Sequence, residues 1–271
     1  MPRLRMLHVV ILLVVLVLAP NAGCAAPGGI TADSTCGEYL SGSTDERHAA
    51  AASISTDLDA YRAGNPMWGT SLDAECGATP DATLRTYFAG QLALDVPSAS
   101  MANTIDTGDT ILVNTLAYTR AAPRRGEVVV FTAPESWRAS AAEERFVKRV
   151  IGTGGDHVVC CDPDHRLLVN GLPLDEQYLY RDGGGQSDPP ATDAFDIVVP
   201  EGRLWVMGDH RTASGDSLMH FERIRDIDQA TIPVDAMVGR AFAVVGSQDQ
   251  DEIRWLTVPS TYADIPDPAA P

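Results

Sequence analysis

The chain has little positive charge, and past its first 26 residues no apolar run long enough to cross a membrane. Lys and Arg number 20 against 37 Asp and Glu, a formal net charge of −17. Nucleic-acid binding wants basic patches, so this balance argues against it. It argues equally against broad electrostatic attraction to anionic lipid. Six histidines are scattered, with no pair at metal-ligand spacing. His157 and His165 flank Cys160-Cys161, but that arrangement does not match the usual zinc patterns, so no metal or other cofactor is expected. The adjacent cysteines are not the C-x-x-C of a redox site; they form either a vicinal disulfide or two free thiols. Beyond residue 92 there is no long helical periodicity, which points to a mostly antiparallel β domain.

What is present divides the 271 residues into four stretches. Residues 1–26 read as a signal or membrane-anchor segment: Arg3 and Arg5 precede an apolar run over 7–19 that Pro20 ends. The run is shorter than the about 20 apolar residues of a full span. It predicts either a marginal anchor helix or a cleaved signal, with the remainder sent outward by the positive flank. Ala22-Gly23-Cys24 also resembles the end of a bacterial lipoprotein signal. Residues 34–90 read as a small helical domain. Ser43 and Glu46 have capping-box spacing, an alanine-rich run follows His48, and Asp81 is placed to cap a second helix through Thr83, Leu84 and Phe88. Cys36 and Cys76 bracket this segment, and five cysteines suit an oxidising compartment. They are expected to pair, with Cys160 and Cys161 as competing partners.

Residues 92–250 hold short runs rich in β-branched residues at Thr110–Asn114, 127–131, 145–151, 166–169 and 204–207. Asp106-Thr107-Gly108-Asp109, Arg124-Arg125-Gly126 and Asn170-Gly171 separate them as turns, and 182–191 reads as a flexible loop. Residues 251–271 form a proline-rich tail, within which composition marks 259–271 as disordered. Trp205 lies in a strand and reads as core. Trp68 and Trp137 sit in loop-like context, where either packing or contact with lipid headgroups is open to them.

Within the β stretch, Ser100 and Lys148 stand out as a pair. A serine nucleophile needs a base to take its proton. Lysine serves only if burial lowers its pKa from about 10.4 towards neutrality. In a strand, Phe146, Lys148 and Val150 share a face, which sets the amine among apolar groups. Ser-Lys pairs are a known variant of the nucleophile–base arrangement.

Four blocks in order extend this. They are Ser98-Ala99-Ser100-Met101 with Gly108-Asp109-Thr110-Ile111-Leu112-Val113-Asn114, Arg125-Gly126-Glu127-Val128-Val129-Val130-Phe131, Lys148-Arg149-Val150-Ile151-Gly152 with Gly155-Asp156, and Val206-Met207-Gly208-Asp209-His210-Arg211 with Ser214-Gly215-Asp216-Ser217. Together they resemble the bacterial type I signal peptidases, across about residues 92–246. The resemblance implies a serine endopeptidase of mainly β fold that removes signal peptides from exported preproteins. Ser100 is then the nucleophile and Lys148 the general base. The Ser98 hydroxyl and Ser100 N–H form the oxyanion hole, Ser214 hydrogen-bonds the Lys148 amine, and Asp216 supports that loop. Val96, Met101 and Val147 help line pockets for small residues at the first and third positions before the cut. It further implies a catalytic domain on the extracytoplasmic side of the cell membrane, held by an anchor helix or a lipid-modified Cys24.

The sequence departs from the family pattern at four places. Asn103 and Gly154 stand where proline is usual, His210 where asparagine is usual, and Leu218 where an arginine usually partners the aspartate. Those departures leave a second reading open, a catalytically impaired protein that binds extended peptides. A self-cleaving Ser-Lys repressor protease is disfavoured by the N-terminal segment and the cysteines.

Overall fold

A computed structural model gives the fold, describing residues 30, 34–55, 76–77, 91–140, 144–245 and 253–268. The expected N-terminal segment, the helix through Thr83–Phe88 and Trp68 lie outside the described residues. No helix among the described residues is long and apolar enough to cross a membrane.

Two short helices come first, α1 (Cys36–Ser41) and α2 (Thr44–Ser55). Each begins with reciprocal side-chain caps that satisfy its orphan N–H groups. Thr35 and Glu38 do this for α1, and Ser43 and Glu46 for α2, as their spacing predicts. Cys36 and Cys76 are disulfide-bonded with Cα atoms 4.7 Å apart, and both are fully buried. Cys160 and Cys161 bond to each other rather than to either.

The rest is antiparallel β, as expected. One sheet has eight strands: β1 (Gln91–Asp95), β2 (Thr110–Asn114), β3 (Val128–Thr132), β4 (Arg145–Thr153), β9 (Arg203–Met207), β10 (Ile232–Pro233), β11 (Met237–Val245) and β12 (Ile253–Trp255). Their order is β1-β2-β11-β3-β4-β9-β10, with β12 added beside β11. A second sheet, β7-β6-β5-β8, joins β5 (His157–Cys160), β6 (Leu167–Val169), β7 (Leu172–Pro173) and β8 (Phe195–Val198). Register shifts within β11 and β4 insert bulges, which bend strands and raise their twist. The β4 bulge falls between Val150 and Gly152. A Cβ on Gly152 would come within 2.9 Å of Val158 and 3.1 Å of Val199, so glycine lets the two sheets close on each other there.

Among the described residues, three of the apolar clusters matter most for the site. Trp205, Phe195, Leu167 and Val158 lie in the cluster that spans the two sheets. Val129, Phe131, Val150, Val206 and Trp137 form a second. Val96, Met101, Ile105, Ile111 and Val130 form a third, beneath the β1–β2 connection. Trp137 is 6% exposed and meets Phe131, Phe146 and His220, so packing is the role the structure gives it.

The tail corrects the sequence reading. Proline content suggested disorder, yet residues 253–268 pack on the β layers. Tyr262 and Ile265 are buried, the Tyr178 and Tyr262 hydroxyls meet at 2.7 Å, and Arg125 and Asn170 donate to the carbonyls of Ile265 and Pro266. A few apolar side chains and paired carbonyls offset the ordering cost that composition alone makes look prohibitive.

Candidate active site

The β1–β2 connection folds back through one helical turn. Val96 N–H donates to Asp109 O and Gly108 N–H to Val96 O, which extends the strand pairing past Asp95. Between these bonds, Ala102 N–H donates to Ala99 O and Ile105 N–H to Met101 O. Adjacent residues in a helical turn face different ways. Met101 is fully buried in the apolar cluster below, while Ser100 turns to a groove. The expectation that Met101 lines that groove is therefore corrected: it supports the floor from beneath. Val96 and Val147 do line the groove, as does Trp137, whose place there its loop-like sequence context did not suggest.

The groove encloses about 710 Å³ between the segment around Leu94–Ser100 on one side and Phe146, Val147 and Lys148 of β4 on the other. At its base the Lys148 Nζ donates to Ser100 Oγ at 2.7 Å. The same ammonium donates to Val147 O at 2.9 Å. Lys148 is 3% exposed and Ser100 5%. Nζ lies 5.6 Å from the Phe146 ring centroid, in keeping with the shared strand face. Burial pushes the Lys148 amine down to about 8, against the opposing pull of the Asp216 and Asp209 charges. A neutral amine at this distance is placed to take the hydroxyl proton. Ser98 Oγ is 3.3 Å from Ser100 Oγ, so a second hydroxyl borders the same point.

Ser214 does not make the bond expected of it. Its Oγ is buried without a hydrogen-bond partner, and the Val147 carbonyl takes the place on Nζ that the sequence reading gave to Ser214. Ser214 sits instead against Gly208, where an added Cβ would collide with its side chain and with Ser100 O. Asp216 holds this loop. Its carboxylate accepts Gly208 N–H at 2.9 Å and caps α3 (Ser217–Ile224) through Leu218 and Met219 N–H. Backbone donors thus serve the aspartate, and Leu218 is free to bury its side chain in the core.

Sequence reasoning missed several residues around the pair. Arg149 and Asp209 form a buried two-pronged ion pair, at 2.9 and 2.6 Å, beside Lys148. Asp209 also accepts from the Thr104 hydroxyl at 2.5 Å, which ties the helical turn to the loop after β9 and, through Arg149, to β4. His210 donates its backbone N–H to Ser100 O, its Nδ1 lies 3.1 Å from Ala99 O, and its ring stacks on Tyr180. Composition itself carries a signal for the pair: of the 20 basic residues, Lys148 is the only lysine. His157 pairs with Asp196 at 2.6 Å, and the neighbouring cysteines are bonded to each other.

Residues 77–246 match the family described as signal peptidase, peptidase S26. A signal peptidase I of Mycobacterium tuberculosis is 34% identical over 187 residues, covering 55% of this chain and 63% of the relative. A probable signal peptidase I-2 of Synechocystis is 33% identical over 159 residues, covering 59% of this chain and 64% of the relative. The chain thus spans a little under two thirds of the length of these curated relatives. Among solved structures, a signal peptidase I from Enterococcus faecalis is 28% identical with a TM-score of 0.33, over 44% of this chain and 97% of that one. The profile match runs through every block from Ser98 to Asp216, and the chain belongs to the signal peptidase family, peptidase S26.

Proposed function

We propose that this protein is a serine endopeptidase that cleaves signal peptides from exported preproteins with Ser100 as nucleophile and Lys148 as base. The observation that carries this reading is the buried 2.7 Å Nζ–Oγ contact at the base of an open groove. Lys148, neutral above its lowered pKa, takes the proton as Ser100 Oγ attacks the scissile carbonyl. The resulting ammonium returns that proton to the leaving amine. Water then hydrolyses the acyl-enzyme, with Lys148 again as base. The Ser98 hydroxyl and the Ser100 N–H donate to the oxyanion that forms.

The substrate lies extended in the groove. Positions one and three before the cut then face the same wall, to which Val96, Val147, Ile111 and Val130 contribute, and this reading has that wall accept small side chains. Residues 1–26 hold the enzyme at the outer face of the cytoplasmic membrane, as an anchor helix or through lipid on Cys24. Residues 34–90 form a unit of their own ahead of the catalytic stretch at 92–250.

Incubating the purified full chain with a preprotein carrying alanine at both positions should release the mature protein with a single new N-terminus. Phenylalanine at the first position should block it. Cleavage indifferent to that change would overturn the small-residue pockets. Ser98→Ala should lower kcat about 100- to 1,000-fold, the cost of one oxyanion donor, with little change in KM. A normal kcat with a raised KM would instead make Ser98 a substrate-positioning group.

A further inference from the structure

The turn that carries Ser100 is held from outside the family match. Arg254 lies on β12, past residue 246 where that match ends. Its pairing with Val244 of β11 carries its side chain under the β1–β2 connection. There its guanidinium donates to Thr104 O at 3.2 Å, to Asn103 O at 3.4 Å, and to Asp109 Oδ2 at 2.8 Å. Carbonyls at the end of a single helical turn lack the next turn's N–H groups. Arg254 supplies those donors.

Asn103 shows why a clamp is needed. Its φ is +73°, in the left-handed region that asparagine tolerates better than most residues. A proline ring fixes φ near −65°, so proline cannot stiffen the turn in this conformation. Local bonds carry part of the load: Asn103 N–H donates to Asp106 Oδ1, and Asp106 N–H donates to Asp109 Oδ2. Asp109 is thus shared between the turn's own backbone and Arg254. Thr104 closes the other side onto Asp209. Remove the guanidinium and one wall of this frame loses its anchor, three and four residues from Ser100.

We propose that Arg254 is a positioning residue for the nucleophile: the C-terminal strand fixes the Ser100 turn in place of a rigid ring at position 103. The inference rests on Ser100 being the nucleophile. Full-length Arg254→Ala and Arg254→Lys should be measured beside Ser100→Ala. Arg254→Ala should lose about 10- to 100-fold in kcat, the scale of a small misplacement of a reacting group, with KM nearly unchanged. Millimolar guanidinium should restore part of the loss, and Arg254→Lys should fall between. Amide exchange over residues 101–109 should quicken in Arg254→Ala. Unchanged kcat with unchanged exchange there overturns the proposal. A lower melting temperature with normal kcat per folded molecule overturns it too, leaving Arg254 merely structural. Should Arg254→Ala fail to fold, Asp109→Asn weakens the same clamp and is read the same way. If wild type and Ser100→Ala cleave alike, the assignment of Ser100 falls, while exchange over 101–109 still decides whether Arg254 holds the turn.

Discussion

Ser100→Ala should abolish peptide cleavage and leave the protein folded. Loss of a serine nucleophile costs on the order of a millionfold in kcat, far more than any positioning effect. The fold should survive because the change is small. Ser100 Oγ accepts one bond from Lys148 and lies 3.3 Å from Ser98 Oγ. Lys148 keeps its bond to Val147 O, so its amine is not left wholly unpaired. Beneath it, Met101, Ile105 and Ile111 are untouched. A net loss of about 1–2 kcal/mol is the scale for such a hydrogen-bond change. Turnover of a preprotein, corrected for folded fraction by near-ultraviolet circular dichroism, is the measurement. Near-normal turnover by purified Ser100→Ala would sink the assignment.

The β architecture was legible because its signals are local. Val128-Val129-Val130-Phe131 and Ile111-Leu112-Val113 are strand-forming runs with turn residues on both flanks, and both are strands here. The capping boxes of α1 and α2 rest on spacings of three residues, and the spacing at Ser43 and Glu46 was read correctly. The meeting of Ser100 and Lys148 was legible from their blocks and from the strand face shared with Phe146. What failed depended on direction within loops. Ser214 follows a 3-10 turn at Arg211–Ala213, where no periodicity sets the side chain, and its hydroxyl does not make the bond assigned to it. Met101 sits one residue from Ser100, and one residue in a helical turn is enough to send it into the core. The tail failed for a different reason. Composition averages over residues, and Tyr262 and Ile265 do the packing within a stretch whose prolines dominate the average. The contacts that Arg254 and His210 make with the Ser100 turn were not legible because the partners lie about 150 and 111 positions away.

Lys148→Met should be inactive and yet more stable than the wild type at neutral pH, and the wild-type rate should climb through about pH 8. The two expectations share one cause. Burial lowers the Lys148 amine from 10.5 to about 8 in the folded chain. Below about 8 the folded protein carries a buried ammonium that the site disfavours, and the base is unavailable. Above it the amine is neutral and can accept the Ser100 proton, so the rate should rise with pH through that value. Stability follows the same protons. Between about 8 and 10.5 the unfolded chain binds one proton more than the folded chain, so this residue's contribution to stability rises with pH across that window. Methionine has a similar volume and no charge to desolvate, so Lys148→Met should melt higher at pH 7, and its advantage should shrink as pH approaches 10.5. Lys148→Arg should be inactive throughout, since a guanidinium does not deprotonate in this range. The titration can be followed directly because Lys148 is the only lysine. Lysine-selective isotope labelling gives one side-chain signal, and its midpoint should fall near that of the rate. A midpoint above about 10 would match an ordinary lysine, and a rate without ionisation below that value would remove Lys148 as the base.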